Sequence, residues 1–444
     1  MMKIALLTLG CKLNFAETAT YERGFLAAGL EVVPWSEAAD VYLVNTCSVT
    51  GTSDSKSRNL IRKVHRINPA AHIVVTGCSA ELRRAEIERI EGVSRVFGAA
   101  EKGLVVRETL RLLGLSAEQS DTSSSMPDRV SDYPAIPLEG VQGVKAFGNI
   151  PRMFPAYSAA ESRTRAFLKV QDGCNNYCKY CTVPYARGES RNLPIADCVH
   201  NAERIAAEGV REIVLTGVNT GDFGRTTGES FLDLLKALEG VDGIERYRIS
   251  SIEPNLLKEE TVDWIAGGTK FQPHFHIPLQ TGSDELLARM GRRYDTAFFA
   301  DRISMIRSKM ERPGAPKVFF GIDVMVGLPG ETDALFRQSF DFIERIRPAF
   351  IHVFPYSRRP GTPAASMPGQ VDESTKKHRV GVLETLCRRL HEDFRAQNRG
   401  IRERVLFEST VHNGRMEGYT GNYIRICRPY DPALVNTLVD IVID

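Results

Sequence analysis

The sequence predicts an α/β protein in three parts: an N-terminal open parallel α/β domain, a central partial (βα)6 barrel and a small C-terminal β-barrel. Three observations carry that reading. At 444 residues the chain is too long for one ordinary core. Short apolar runs alternate with helically spaced segments through most of its length, the pattern of parallel strands joined by crossover helices. The final stretch changes to β-rich runs alone, short enough for one small barrel.

Taken in order, Lys3–Gly10, Val41–Thr46 and His72–Gly77 read as strands, with helical spacing at Glu17–Leu30 and Lys56–Ile67 between them. Residues 1–114 form the first unit. Residues 115–159 contain Asp121-Thr122-Ser123-Ser124-Ser125 and Pro127, Pro134, Pro137, Pro151 and Pro155, a composition that argues for a linker. Residues 160–390 carry six further strand-like runs: Ala166–Val170, Glu212–Thr216, Arg246–Ser250, His274–Pro278, Val318–Val326 and Phe350–Phe354. Six βα units are fewer than the eight of a closed barrel. A long helix, Glu373–Arg399, leads into residues 391–444, with β-rich runs at Arg404–Ser409, Gly414–Arg428 and Thr437–Ile443.

Composition is that of a globular protein, 43% apolar and 25% charged, with a net charge of +2 that favours no particular partner. No apolar stretch reaches the roughly 20 residues of a membrane span. The opening Met1-Met2-Lys3-Ile4-Ala5-Leu6-Leu7 reads as structure and not as a cleaved leader. The expectation is a cytoplasmic protein with no membrane partner, where reduced thiols favour metal or cluster binding over disulfides.

Six of the nine cysteines fall into two groups of three. Cys11, Cys47 and Cys78 stand just past three strand-like runs, separated by 36 and 31 residues, about one βα unit each. Ligands of open α/β sheets gather at the carboxyl ends of strands, so these thiols converge on one edge. Cys174, Cys178 and Cys181 form a C-x-x-x-C-x-x-C loop after the first barrel strand. A structural zinc site normally takes four ligands, and no fourth Cys or His sits near this loop. Three thiolates instead hold a cubane iron–sulfur cluster and leave one iron open. The methionine moiety of S-adenosylmethionine suits that open iron through its amine and carboxylate. Cys198, Cys387 and Cys427 are isolated and read as small semi-buried residues.

The Cys174–Cys181 loop, with Tyr180 before its last cysteine, resembles the radical SAM signature. Thr8–Asn14, Asn45-Thr46-Cys47, Thr76-Gly77-Cys78, Arg187–Arg191, Ser251–Pro254, Pro278–Ser283 and Phe354–Ser357 resemble the methylthiotransferase branch of that superfamily. The resemblance implies two 4Fe-4S clusters and S-adenosyl-L-methionine as cofactors. Cys174, Cys178 and Cys181 would hold the catalytic cluster that cleaves S-adenosylmethionine; Cys11, Cys47 and Cys78 would hold an auxiliary cluster that carries sulfur. Tyr180, Thr216, Gly217, Glu253, Gln280, Asp323 and Arg191 are candidate cofactor-pocket residues. Thr216 and Gly217 also fit ordinary strand-end turns, Glu253 and Gln280 also fit structural hydrogen bonds, and Arg187 and Arg191 also fit salt bridges.

Lys56–Arg66 holds five Lys and Arg residues and no acid. Arg58, Arg62 and Arg66, four apart, form one stripe on a helix, suited to tracking phosphates or to lying as a solvated face. Arg404 and Tyr423 stand in a basic, aromatic tail that resembles the TRAM RNA-binding module, notably at Val405–Glu408 and Gly418–Tyr423. Lys12–Thr18 and Thr46–Thr50 are most similar to the branch that methylthiolates N6-threonylcarbamoyladenosine at position 37 of tRNA. The implied partners are the tRNA anticodon region and a flavodoxin- or ferredoxin-like electron donor. Isopentenyladenosine in tRNA and a ribosomal-protein aspartate are the alternative acceptors. A cluster-bearing RNA-binding or electron-transfer protein is the non-enzymatic reading.

Overall fold

The computed structural model describes residues 1–115, 153–158 and 164–444. Most of the stretch expected to be a linker therefore lies outside the described residues. The N-terminal sheet has five parallel strands in the order Glu31–Val32, Lys3–Thr8, Val41–Thr46, His72–Gly77, Val93–Val96. Its strands are apolar on both faces, as a parallel sheet covered by helices requires. Leu7, Tyr42, Val44, Ile73 and Val75 pack on one face; Ile4, Val41, Leu43 and Val74 pack on the other.

Two helices begin earlier than their spacing suggests. Gly10 (φ +113) stops the first strand, and Cys11 then starts the helix Lys12–Ala27. The Thr50 hydroxyl accepts from the Ser53 N–H and starts the helix Gly51–Ile67.

The six barrel strands are all parallel, in two three-stranded sheets: Arg165–Lys169, Glu212–Thr216 and Arg246–Ile249, then His274–His276, Phe319–Val326 and Phe350–Pro355. Parallel bridges Tyr247↔Phe271 and Ser251↔His276 join them into one wall. The helix Lys12–Ala27 packs along the first barrel strand, and the Arg23 guanidinium lies 3.7 Å over the Tyr157 ring and donates to its carbonyl. The long helix Glu373–Gln397 backs the last strand, where the Cys387 sulfur accepts from the Ile351 N–H at 3.3 Å. Among the described residues no helix is long and apolar enough to cross a membrane.

The tail is a four-stranded antiparallel sheet ordered Arg425–Pro429, Arg415–Tyr419, Arg402–His412, Leu438–Val442, curled over Val405, Phe407 and Met416. The run expected as one strand, Gly414–Arg428, is two, because the chain reverses through Thr420–Ile424 with Tyr423 at φ +66. The sheet docks on the amino ends of the barrel strands. Arg248 donates to the carbonyls of Thr420 and Gly421 at 2.8 and 2.6 Å, and Arg165 donates to the Tyr423 hydroxyl at 2.8 Å.

The N-terminal domain and the barrel meet through buried charge. Glu17 is fully buried and accepts from Lys102 at 2.7 Å, Lys169 at 2.8 Å and Arg187 at 3.2 Å. Asp172 takes Lys169 at 2.7 Å and Arg187 at 2.9 Å. Burial alone would raise the Glu17 carboxyl, but Lys102, Lys169 and Arg187 outweigh it and hold it well below the usual range. Asp172 is lowered in the same way, by Lys169, Arg187 and Arg191 against burial. Their stabilisation is therefore complete at neutral pH and is lost as pH falls below the ordinary carboxylate range. Glu17→Ala strands buried Lys102 and takes one of two carboxylate partners from Lys169 and Arg187, and is expected to cost about 3–5 kcal/mol, read as a lower urea midpoint. Arg337→Ala, which breaks an exposed pair with Asp341, should cost at most about 1 kcal/mol in the same measurement.

Candidate active site: two cysteine triads across a buried interface

Cys11, Cys47 and Cys78 follow three adjacent strands of the N-terminal sheet. Two glycines let their loops close up. A Cβ on Gly77 (φ +99) would lie 2.3 Å from the Thr46 carbonyl, and one on Gly10 would lie 2.9 Å from the Cys47 Cβ. Asn14 ties these loops together, donating to the carbonyls of Leu9 and Thr46 at 2.8 and 3.0 Å. Burial pushes the Cys47 thiol up to about 11 and raises Cys78, with Arg187 and Lys102 opposing it at Cys78.

The second triad lies in the loop after the first barrel strand, and each of its sulfurs accepts one hydrogen bond. Asn176 N–H reaches Cys174 at 3.5 Å, Val183 N–H reaches Cys181 at 3.4 Å, and the Arg292 guanidinium reaches Cys178 at 3.1 Å. Burial pushes Cys174 up to about 11 and Cys181 to about 12. Thiols this reluctant to ionise become good ligands when a metal centre replaces the proton.

All nine cysteines are free thiols. Each triad supplies three thiols, the donor set that holds a cubane cluster by three irons and leaves the fourth open. Among the described residues a separate group, His276, Asp323 and His352, brings its ligand atoms within 4.8 Å of one another.

One side chain ties the helix that follows Cys11 to the segment that follows Cys181. Arg187 closes the short helix Val183–Arg187 that follows Cys181, and this helix packs on Cys78–Leu82. Its guanidinium donates to the Asn14 side chain, Glu17 and Asp172. Burial works against its charge, but Cys78, Asp172, Glu17 and Cys11 outweigh it and keep the group cationic.

The other sequence-derived candidates divide. Tyr180 and Glu253 meet at Arg292, which donates to the Tyr180 hydroxyl at 3.3 Å and to both Glu253 oxygens at 2.6 Å. The Asp323 carboxylate accepts from His276 Nε2 at 2.9 Å inside the barrel. Gln280 (φ +71) is held by backbone bonds to Asp323 and Met325. The Thr216 hydroxyl donates to the Leu168 carbonyl, a strand-to-strand bond, and Gly217 lies tight against the Gln171 side chain. Arg191 is engaged by the Arg187 and Glu189 carbonyls and by Asp172, so the salt-bridge reading describes it.

Arg62 and Arg66 are exposed, Arg58 is half-buried, and none forms an ion pair among the described residues. Their helix is anchored beside Cys47: Gly51 N–H donates to Ser357 Oγ at 3.0 Å, and buried Asp54 takes Arg359 and Arg83. Arg404 and Tyr423 both touch the barrel. Arg404 pairs with Glu245 at 2.6 Å. Tyr423 is wedged between His274, Phe319 and Tyr419, and it takes a hydrogen bond from Arg165. Both hold the tail against the barrel. Cys427 is exposed, unlike buried Cys198 and Cys387.

Sequence reasoning missed Arg292, Asn14 and Glu17. Asn14 and Glu17, three apart after Cys11, are polar residues on a helix face that the sheet covers, a legible oddity. Nothing in the run Met290–Tyr294 singles out Arg292.

Residues 168–343 match the model of the Radical SAM superfamily, and residues 3–98 match an uncharacterized protein family, UPF0004. The threonylcarbamoyladenosine tRNA methylthiotransferase MtaB of Bacillus subtilis is 37% identical over 433 residues, 96% of this chain and 90% of that protein. The chain belongs to the radical SAM methylthiotransferase family. Other methylthiotransferases align with it over nearly their full length. The MtaB protein of Aquifex aeolicus is 33% identical, over 96% of this chain and 97% of that one. The tRNA-2-methylthio-N(6)-dimethylallyladenosine synthase of Pelotomaculum thermopropionicum is 30% identical, covering 100% and 95%. The fold is shared with the radical S-adenosylmethionine methyltransferase TsrM of Kitasatospora setae, at a TM-score of 0.55 and 16% identity, over 82% of this chain and 74% of that chain.

The loops that carry the N-terminal triad rest on Gly10 and Gly77. Gly77→Ala should derange only the N-terminal triad. After anaerobic reconstitution, iron content is expected to fall to about half that of the wild type, measured by colorimetric iron assay.

Proposed function

We propose that this protein is a tRNA methylthiotransferase that adds a methylthio group at C2 of N6-threonylcarbamoyladenosine, at position 37 beside the anticodon, in the cytoplasm. The observation that carries the reading is two groups of three free cysteines, one at the strand ends of the N-terminal sheet and one in the loop after the first barrel strand, in a chain alike along its whole length to enzymes named for that reaction. Its cofactors are two 4Fe-4S clusters and S-adenosylmethionine. Cys174, Cys178 and Cys181 would hold the first cluster and Cys11, Cys47 and Cys78 the second. Bound there, these groups supply the radical that activates the C2–H bond and the methylated sulfur that takes its place.

The chain's own part is placement and electrostatics. Arg187 presents its charge to Cys78 and Cys11 while tying them to the barrel, which sets the separation of the two sites. Arg292 donates to Cys178 and is itself fixed by Glu253, so it steadies the thiolate and holds the loop. Arg58, Arg62 and Arg66 offer unpaired charge beside the N-terminal triad, where the RNA backbone would run. A small flavodoxin- or ferredoxin-like protein would supply electrons.

Mass spectrometry of tRNA nucleosides from a host lacking the gene, with and without complementation, tests the substrate. Appearance of 2-methylthio-N6-threonylcarbamoyladenosine supports the reading. Appearance of the isopentenyl form instead, or no change in any nucleoside, would overturn it. Cys174→Ala should abolish 5′-deoxyadenosine formation, whereas Cys47→Ala should retain part of it and end sulfur insertion. Both are read by chromatography of reaction products. Reversing Arg58, Arg62 and Arg66 to Glu should weaken tRNA binding and reduce its log–log salt slope by about 2, read by fluorescence anisotropy.

A further inference from the structure

One set of polar side chains inside the barrel is used by neither cysteine triad. Phe275, Ile277, Ile322, Val324 and Ile351 join the core under the helices, so the residues that alternate with them face the lumen. His276, Asp323 and His352 are three of these, on three adjacent strands. The register sets His276 beside Gly321, and Asp323, at the next position on the same face, beside His352. His276 Nε2 lies 2.9 Å from the Asp323 carboxylate, and the two imidazoles are 5.2 Å apart. One ligand atom from each of the three falls within 4.8 Å of the others.

Two imidazoles and one carboxylate make the donor set of a zinc site in which three side chains hold the ion and a fourth position stays free. The imidazoles favour a first-row transition ion over magnesium or calcium, which prefer oxygen ligands alone. At metal–ligand lengths of about 2.0–2.1 Å, neighbouring ligand atoms of a tetrahedral ion stand roughly 3.3 Å apart. The separations here exceed that by at most about 1.5 Å, within reach of side-chain rotation. All three residues sit on strands of the barrel wall and not on loops, so the backbone fixes their spacing.

The ligand atoms are also uncommitted. Among the described residues the His276 ring bonds only to Asp323, and His352 makes ring contacts but no hydrogen bond or ion pair. A His–Asp hydrogen bond accounts for two of the three residues and leaves His352 without a part; an ion uses all three. An ion between His276 and Asp323 replaces the proton they share, and the imidazole then carries its proton on Nδ1. Gly321 leaves room on that side, where a Cβ would stand 3.2 Å from Nδ1.

We propose that His276, Asp323 and His352 bind one divalent transition-metal ion of the zinc class, apart from both iron–sulfur sites, with its open position facing the lumen. That position takes a water, or an oxygen of whatever enters the barrel. The site does not depend on which acceptor is methylthiolated.

The probe is zinc ion, added anaerobically to the reconstituted holoenzyme, whose triads are then filled, followed by gel filtration and elemental analysis. The wild type should retain about one zinc per chain, with iron and sulfide contents unchanged. X-ray absorption at the zinc edge should show nitrogen and oxygen ligands at about 2.0–2.1 Å and no sulfur at about 2.3 Å. His276→Ala, Asp323→Asn and His352→Ala should each weaken zinc binding at least about 100-fold, read by competition with a chromophoric chelator. No retained zinc overturns the proposal. So does a sulfur shell, which would place the ion on cysteine; both results are read on the wild type and need no variant. Wild-type zinc affinity in the three variants, at wild-type iron content, overturns it as well. A variant that loses its iron has lost its fold, and the wild-type absorption spectrum then decides alone.

Discussion

The buried salt-bridge network around Glu17 and Arg187 is the constraint on which the rest of the molecule depends. Six charged side chains, Glu17, Lys102, Lys169, Asp172, Arg187 and Arg191, are withdrawn from water where the N-terminal domain meets the barrel. Only two are anions, so the network alone carries excess positive charge. Such an excess is tolerable at low dielectric only with further negative charge close by. The thiolates that face Arg187 are the available source. The domain contact and the sulfur site are thus electrostatically one object, and neither is complete alone.

The same logic runs through the second triad on a smaller scale. Arg292 is buried among Tyr180, Tyr294, Glu253 and Cys178, and burial works against its charge. The Glu253 carboxylate and the hydrogen bonds to sulfur and phenol oxygens offset that penalty. Each triad therefore has one guanidinium whose position is set by a carboxylate partner and whose charge is directed at sulfur. Rigid donors of this kind stabilise charge without reorganising.

Much of this was legible in the chain because strand ends and cysteine spacings are local. Cys11, Cys47 and Cys78 lie where the βα pattern places them, and six barrel strands fall close to their expected runs. What the sequence concealed is long-range. Glu17 meets Lys169 and Arg187 across gaps of 152 and 170 residues, and no periodicity records such a meeting. Arg404 and Tyr423 show the same limit. A basic, aromatic tail has the composition of an RNA surface, and its sequence does not show that these two side chains also contact the barrel. Composition reports which groups are available and not which are already engaged. Arg58, Arg62 and Arg66 differ because, among the described residues, no acidic side chain pairs with them.

The helix Lys12–Ala27 opens with Cys11 at its cap and places Lys12, Asn14 and Glu17 within its first two turns. A sulfur ligand, a loop tie and the domain clasp therefore turn on a single rod. One inserted residue between Cys11 and Glu17 would rotate everything beyond it by about 100° and advance it about 1.5 Å. A substitution here touches one of these groups, whereas a change in length displaces them together. Natural variants of this enzyme should hold the count of residues in this segment constant.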